Sequence, residues 1–278
     1  MQLITCFICA ICRAITKLEN HVVLHTGNYI SLCSGVGGLD LSVKIALPGA
    51  RCVCYVERES FAAAVLVARM EDSPLDKAPV WSDVATFDCT PWRGCVDFVV
   101  AGFPCQPVSK AGRKKGEQDE RWIWEDVIRV VRELGARWVF LENVPGILFL
   151  GLGTVLGGLH QIGMSAEWAC VPASRLGAPH KRDRWFCLGY TDEQRLEGWG
   201  KYNGTREGTA GEAGNSIFPP GPSSHVWKSG ELPASSLPVV CGGVNGLAGR
   251  VDRIRALGGS CIPLQGAIAL QHLIRRLR

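Results

Sequence analysis

The chain has 278 residues, which suits one large domain with a small additional lobe. Hydrophobic residues make up 47% and charged residues 20%, a balance that excludes a globally disordered protein. The formal net charge of +4 permits a nucleic-acid partner without requiring one. Thirteen cysteines are an odd number in a long chain without a secretory-signal pattern, so we expect reduced thiols and a cytoplasmic protein.

Residues 1–27 show no clear structural pattern and are interpreted as a poorly ordered accessory leader. Cys9 and Cys12, followed by His21 and His25, have the pairwise spacing of zinc-finger ligands. The gap between the two pairs is shorter than usual. We therefore predict no metal site and keep zinc binding as the minor alternative.

Short apolar strands and amphipathic helices alternate from Asn28 onward. This order predicts a doubly wound, mostly parallel α/β sheet of the Rossmann-like type. The predicted strands cover 29–33, 51–56, 96–101, 138–141, 167–171 and 184–189, with one short strand just before Asp83. The predicted helices cover 39–47, 61–70 (with Ser60 as its N-cap), 121–134, 152–162 and 264–277.

Composition divides the chain into a main domain and smaller parts. We expect residues 28–190 to form the main domain. Residues 191–246 are rich in glycine, proline and serine and are interpreted as a small irregular lobe. Residues 247–278 are expected to return to the main domain through the last helix.

A glycine-rich turn follows the first predicted strand and opens the first helix. It contains Ser34, Gly35, Gly37 and Gly38, and glycines let a backbone approach a ligand closely. Glu57 ends the second strand, where a carboxylate reaches ribose hydroxyls in nucleotide-type sites. The turn lacks the full G-x-G-x-x-G spacing, which disfavours a dinucleotide such as the cofactor of a dehydrogenase.

Acidic residues also follow two other predicted strands. Asp83 suits either an acceptor for an adenine amino group or a simple turn cap. Glu142 follows a buried strand, where poor solvation raises the pKa of a carboxyl group and suits it to acid catalysis near neutral pH. Its alternative interpretation is a cap for the turn at 146–150.

The segment 102–109, Gly-Phe-Pro-Cys-Gln-Pro-Val-Ser, is the sharpest feature of the chain. Pro104 and Pro107 bracket Cys105 and stiffen a loop that directly follows a buried strand. Ligands bind at such strand ends in open α/β sheets. The pattern favours Cys105 as a nucleophile over a buried packing residue.

Arg182 and Arg184 lead into the last strand of the main domain. If this segment is extended, the two side chains point the same way. They then suit a grip on a phosphate or on the edge of a base. The alternative interpretation is a solvated charge run.

The ordered set of glycine turn, Glu57, Asp83, Pro-Cys-Gln, Glu-Asn-Val and Arg-x-Arg resembles the C5-cytosine DNA methyltransferase family of the phage and bacterial type. The resemblance covers residues 28–190 and resumes at 250–263, which is similar to the family's last motif. It implies the fold of an S-adenosylmethionine-dependent class I methyltransferase. It also implies that residues 191–246 are a small target-recognition lobe.

The resemblance implies a mechanism on a cytosine flipped out of double-stranded DNA. Cys105 attacks C6, Glu142 engages N3 and the exocyclic amine, and Arg182 and Arg184 hold the base. S-adenosylmethionine supplies the methyl group for C5. The residues implied to contact this cofactor are Ser34, Gly35, Gly37, Gly38, Glu57, Asp83, Pro104 and Ser260.

The resemblance also implies partners and supporting residues. Asn143 braces the Pro104–Cys105 loop, and the protein acts as a monomer on double-stranded DNA, with a cognate restriction enzyme as a compatible second partner. No membrane association is expected. The residues implied to form a DNA-binding loop are Gln106, Ser109, Arg113, Lys114 and Lys115.

Two other functions remain open at this stage. A sub-branch of the family methylates cytosine in structured RNA with similar catalytic residues. A degenerate DNA-binding homologue is the other alternative, because Cys33 replaces the aromatic residue and Gly259 the asparagine that the family usually has. His180 also replaces a glutamine.

Overall fold

The computed structural model describes residues 27–72, 74–104, 123–176, 178, 180–191 and 260–277. Several sequence-based expectations therefore lie outside the described residues. They concern the leader with its Cys/His pairs, the lobe beyond Thr191, and the residues Cys105, Gln106, Ser109, Arg113, Lys114, Lys115 and Gly259.

The described part of the chain contains seven strands and six α-helices. The strands are β1 (Asn28–Leu32), β2 (Arg51–Val56), β3 (Val80–Trp81), β4 (Phe98–Ala101), β5 (Trp138–Asn143), β6 (Met164–Pro172) and β7 (Asp183–Thr191). The helices are α1 (Gly38–Ala46), α2 (Ser60–Glu71), α3 (Trp124–Leu134), α4 (Ile147–Leu150), α5 (Leu152–Gln161) and α6 (Pro263–Arg276).

The strands form one sheet in the order β3-β2-β1-β4-β5-β7-β6. β1 to β5 run parallel, and β7 is antiparallel to both of its neighbours. This is the predicted mostly parallel, doubly wound α/β sheet. The strand order runs outward from β1 to β3 on one side and continues with β4 on the other side of β1, so the topological switch point lies between β1 and β4. Ligands bind outside the carboxyl ends of the strands at such a point.

Hydrophobic cores cover both faces of the sheet, as parallel sheets require. On one face, α3 and α5 pack Val127, Val131 and Leu159 against the strands. On the other face, Leu39 of α1 and Leu273 of α6 are buried. No helix in the described part of the chain is long and apolar enough to cross a membrane.

The last helix returns to the sheet and packs on α1, β6 and β7. The approach to α1 is close, because a Cβ on Gly38 would lie 2.5 Å from the carbonyl oxygen of Cys261. Any larger residue at position 38 would push the C-terminal segment away. Gly38 is therefore required by this packing.

Three local expectations were wrong. Ser60 does not cap the second helix, because the helix begins at Ser60 itself and Glu59 holds the N-cap position. β4 begins at Phe98 rather than at 96, although the backbone of Asp97 still bonds to Asn28 on one side and to Arg137 on the other. β6 is longer than expected, because all of its nine residues pair with β7.

Candidate active site

The strand register brings the candidate residues to one edge of the sheet. Leu32 pairs with both Val56 and Ala101, and Ala101 pairs with Leu141. The residues that follow these positions therefore lie at one level along the carboxyl edge. They are Cys33, Glu57, Gly102 and Glu142.

Three residues between β1 and α1 have a left-handed backbone. The φ angles are 52° at Cys33, 56° at Gly35 and 78° at Gly37. Ser34 holds the turn, because its amide donates to the Val56 carbonyl at 3.1 Å and its hydroxyl to the Ser31 carbonyl at 3.0 Å. The turn is thus locked to the ends of β1 and β2 before α1 begins.

Glu57 ties this turn to β2. Its Oε2 accepts the amide of Gly35 at 2.6 Å, and its Oε1 accepts the amide of Glu59 at 2.7 Å. Burial raises the pKa of Glu57, and these two backbone amides oppose the rise. Each carboxylate oxygen keeps a further lone pair for a ligand hydroxyl.

Asp83 caps the short 3₁₀ helix Val84–Thr86, with its Oδ1 accepting the Ala85 amide at 3.0 Å. The alternative interpretation as a turn cap is therefore seen in the structure, and Oδ2 is the oxygen left for a ligand. Arg129 of α3 holds the same turn by donating to the carbonyls of Val84, Ala85 and Phe87. We call the Ser34–Gly38 turn, Glu57 and Asp83 the glycine-turn cluster.

The backbone that leads to Cys105 is anchored as far as Pro104. Gly102 donates to the Leu32 carbonyl at 3.3 Å, and Phe103 is buried against Trp124 with ring centroids 5.6 Å apart. The Asn143 side-chain amide donates to the Phe103 carbonyl at 3.4 Å. Pro104 is exposed at the edge of the sheet.

Glu142 is buried at the end of β5 and pairs with Arg184 of β7. The Arg184 Nε lies 2.7 Å from Glu142 Oε1, and the exposed fractions of the two residues are only 9% and 6%. Burial raises the pKa of Glu142 to about 7, against the lowering effect of Arg184 and Arg182. The carboxyl group can therefore change its protonation state near neutral pH.

The backbone of Arg182 does not meet the condition under which its side chain would align with that of Arg184. It is not extended but left-handed, with a φ of 33°. Its guanidinium donates to the Ser260 carbonyl, which places the start of the C-terminal segment beside the site. We call Glu142, Arg182 and Arg184 the Glu142 cluster.

Gly102 lies between the two clusters. A Cβ at this position would be 3.5 Å from Glu142 Oε2 and 3.8 Å from the Cys33 carbonyl oxygen.

Burial raises the pKa of the nearby Cys33 thiol, which disfavours the thiolate. Cys33 is therefore unsuited to nucleophilic attack.

Sequence reasoning missed three residues that hold the site. Arg69 of α2 donates to the Val36 carbonyl in the glycine turn, Arg129 holds the Asp83 turn, and Gln265 of α6 donates to the Arg182 carbonyl. Only Gln265 has a signal in the sequence, because a polar residue there interrupts the apolar face of the last helix.

Comparisons with known proteins show the family of this chain. The family model for C-5 cytosine-specific DNA methylases matches residues 27–219. The type II methyltransferase M.CviJI of Paramecium bursaria Chlorella virus IL3A is 33% identical over 162 residues, which are 57% of this chain and 42% of that protein. M.HhaI of Haemophilus parahaemolyticus is 27% identical over 174 residues, 61% of this chain and 50% of that protein.

A solved structure is also similar. It is a DNA modification methyltransferase encoded within a prophage (E. coli), with a TM-score of 0.50 and 26% identity over 61% of this chain and 48% of that one. The chain thus spans half the length of these relatives or less. Because the family model covers well over half of the chain, the chain belongs to the C-5 cytosine-specific DNA methylase family.

Proposed function

We propose that this chain transfers a methyl group from S-adenosylmethionine to C5 of a flipped-out cytosine in double-stranded DNA, through a covalent bond between Cys105 and C6. The observation that carries the proposal is the position of Gly102. It lies between the Cys33 carbonyl, which precedes the glycine turn, and the buried Glu142 carboxyl group, because a Cβ at position 102 would be 3.8 Å from the first and 3.5 Å from Glu142 Oε2.

Members of this family use S-adenosylmethionine as methyl donor, and the glycine-turn cluster fits it. Among the residues that the structure describes, no atom lies within 4 Å of the position that a Cβ on Gly35 would take, so a ligand can lie against its backbone. Glu57 and Asp83 present acceptor oxygens, which suit ribose hydroxyls and an adenine amino group. Ser34, Gly37, Gly38, Pro104 and Ser260 are proposed to complete this site.

When bound, S-adenosylmethionine supplies an electrophilic methyl group at the sulfonium. The chain's own residues must then make cytosine C5 nucleophilic. Cys105 directly follows the anchored Phe103–Pro104 segment and is the proposed nucleophile. Its thiolate forms a bond to C6, and the electron pair of the C5–C6 double bond moves through the ring to N3.

Glu142 is proposed to supply the proton at N3. A pKa of about 7 leaves a protonated fraction near neutral pH, and a protonated carboxyl group is both donor and acceptor. After methylation the N3 proton returns to Glu142. The C5 proton is lost to solvent, the C5–C6 double bond re-forms, and the thiolate leaves.

Arg184 is proposed to hold the carboxyl group of Glu142 in place through the 2.7 Å ion pair. Arg182 stands beside it and adds positive charge that favours the electron-rich base adduct. Asn143 supports the loop by its bond to Phe103. Contacts of the 106–115 loop to DNA, a monomeric state and a restriction partner stay predictions.

The test of the covalent step is Cys105→Ala. We expect no detectable transfer of labelled methyl from S-adenosylmethionine to duplex DNA, with an unchanged far-UV CD spectrum. Bisulfite mapping of DNA from a host that expresses the native chain gives the target cytosines. Turnover that survives in the Cys105→Ala variant would refute the adduct.

The same assay separates the alternatives. Transfer to tRNA but not to duplex DNA would favour an RNA cytosine methyltransferase. Calorimetry with S-adenosylhomocysteine addresses the degenerate homologue, because a protein that has lost the cofactor site gives no binding heat.

A further inference from the structure

Gln265 of α6 joins the C-terminal helix to the strands that carry the arginines. Its side chain is fully buried, and its Nε2 donates to the carbonyls of Val171 at 2.6 Å and Arg182 at 2.8 Å. A side-chain amide nitrogen has two N–H groups, so both are used. One residue therefore ties β6 to the backbone just before β7.

The two carbonyls lie where the β6–β7 ladder ends. Val171 pairs with Arg184, and the last pair is Pro172 with Asp183, the first residue of β7. Arg182 lies beyond this last pair. Beyond it the two segments are joined by the Ala173 amide, which donates to the Lys181 carbonyl at 2.9 Å, and by the amide of Gln265, which holds the Arg182 carbonyl.

The backbone of Arg182 needs such support. Its φ of 33° lies in the left-handed region, which is unfavourable for a residue with a Cβ. A backbone of this kind persists only where surrounding contacts determine it. The C-terminal segment provides two contacts, because Gln265 holds the Arg182 carbonyl and the Ser260 carbonyl accepts from its guanidinium.

The conformation of the Arg182 backbone also affects the surroundings of Glu142. Arg184 lies two residues after Arg182 and places its Nε 2.7 Å from Glu142 Oε1. The guanidinium groups of Arg182 and Arg184 both favour the ionised form of the Glu142 carboxyl group. The buried thiol of Cys261, just before α6, is the titratable group of the C-terminal segment that interacts with this carboxyl group. A change at the Arg182 backbone therefore alters the charge around Glu142.

We propose that Gln265 is a positioning residue that aims Arg182 and Arg184 at the Glu142 carboxyl group by holding the backbone where β7 begins. It touches neither base nor cofactor in this role. The use of the carboxyl group rests on the proposed function, but the contacts concern the chain's own residues alone.

The test is Gln265→Met in the full chain, with Gln271→Met as control. Methionine keeps the length of the side chain and removes both donors. Gln271 is a half-buried glutamine of the same helix. The readout is a ¹³C NMR titration of the Glu142 carboxyl carbon, assigned by its absence from the Glu142→Gln spectrum.

We expect the pKa of Glu142 to rise by about one unit in Gln265→Met, because the guanidinium groups are less well aimed. The Gln271→Met variant should titrate like the native chain. A folded Gln265→Met protein with an unchanged Glu142 titration would overturn the proposal, since Gln265 would then only satisfy two carbonyls.

Gln265→Asn gives a second measurement that is less disruptive. The asparagine side chain is one methylene shorter, so its amide cannot reach both the Val171 and the Arg182 carbonyls. The pKa of Glu142 should therefore move in the same direction by a smaller amount. If both variants fail to fold, Gln265 is a determinant of folding and the positioning role is wrong.

The titration also separates this proposal from the proposed function. A chain that transfers no methyl group to DNA, yet shows the expected Glu142 shift, would contradict the function and leave the role of Gln265 standing. If the native chain transfers methyl groups normally but the Glu142 titration does not move in Gln265→Met, the proposed function stands and the role of Gln265 is wrong.

Discussion

The glycine-turn cluster and the Glu142 cluster hold carboxyl groups at the same sheet edge in different ways. In the first, Glu57 and Asp83 are held by backbone amides that lie within 22 residues of them along the chain. In the second, Glu142 is held by the guanidinium of Arg184 on β7. The residue just before β7, Arg182, is in turn held by Ser260 and Gln265 of the C-terminal segment.

This difference has an electrostatic consequence. Backbone amides bring partial charges only, and they fix Glu57 as an acceptor for neutral hydroxyl groups. A full positive charge opposes the burial of Glu142 and leaves its pKa near 7, where both protonation states are accessible. The first cluster therefore suits binding, and the second suits proton transfer.

The largest expected effect is that of Glu142→Gln. The amide keeps the size of the side chain but cannot give a proton to N3, so methyl transfer should fall by roughly 10²- to 10⁴-fold. Binding of S-adenosylhomocysteine, measured by calorimetry, should stay within about twofold, since it depends on the other cluster. Loss of that binding would mean that the two clusters are not separate in function.

The pH dependence of stability should also come largely from the Glu142 cluster. The pKa of Glu142 is raised from 4.5 to about 7 in the folded chain, so folding favours its protonated form. Its contribution is fully present below pH 4.5 and is lost as the pH rises through 7.

Urea unfolding at pH 5 and pH 8 measures this loss, which we expect to be on the order of 1–3 kcal/mol. Asp40, a buried residue of α1 whose pKa burial raises to about 6, and Glu57, whose pKa burial also raises, contribute in the same direction. The loss between the two pH values should therefore shrink, but not vanish, in Glu142→Gln. An equal loss in both proteins would remove Glu142 from the explanation.

Glu57→Gln addresses the other cluster. One of the two backbone amides, of Gly35 or Glu59, would then face an NH₂ group instead of an oxygen. A buried donor without an acceptor lowers the free energy of unfolding by about 1–3 kcal/mol. The carboxylate is also lost as an acceptor for a ligand hydroxyl, so the Kd for S-adenosylhomocysteine should rise roughly tenfold. Glu71→Gln, an exposed position at the end of α2, is the matched control.

The rate of methyl transfer at saturating S-adenosylmethionine should change far less in Glu57→Gln than the Kd does. If instead the rate falls as far as in Glu142→Gln while the Kd is unchanged, the division between a binding cluster and a proton-transfer cluster is wrong.

The local patterns of the sequence predicted the sheet and most of the glycine-turn cluster. Short apolar runs in the sequence predict where strands end, and parallel strands bring their carboxyl ends to one edge of the sheet. Glu57 and Glu142 could therefore be assigned to the same edge without coordinates. The structure bears out their placement there, while their chemical roles stay proposals.

The supports of the site could not be predicted in the same way. The alignment of Arg182 with Arg184 required an extended segment, but the backbone of Arg182 is left-handed and its contacts are to Gln265 and Ser260, which are 83 and 78 residues away. Arg129 reaches Val84 over 45 residues. No local propensity encodes such contacts, because they exist only once the helices have packed on the sheet.

The smallest expected effect is that of Arg69→Met on the glycine turn. Arg69 is half-buried on α2 and donates to the Val36 carbonyl, so methionine keeps the packing of the stem and removes a charged donor. We expect the free energy of unfolding to fall by about 1–2 kcal/mol in urea titrations. Arg132→Met, an exposed position on α3, should change it by less than about 0.5 kcal/mol. Because Glu57 and Ser34 hold the same turn independently, binding of S-adenosylhomocysteine should weaken by no more than about threefold. A tenfold loss would show that the turn relies on α2 more than on the ends of β1 and β2.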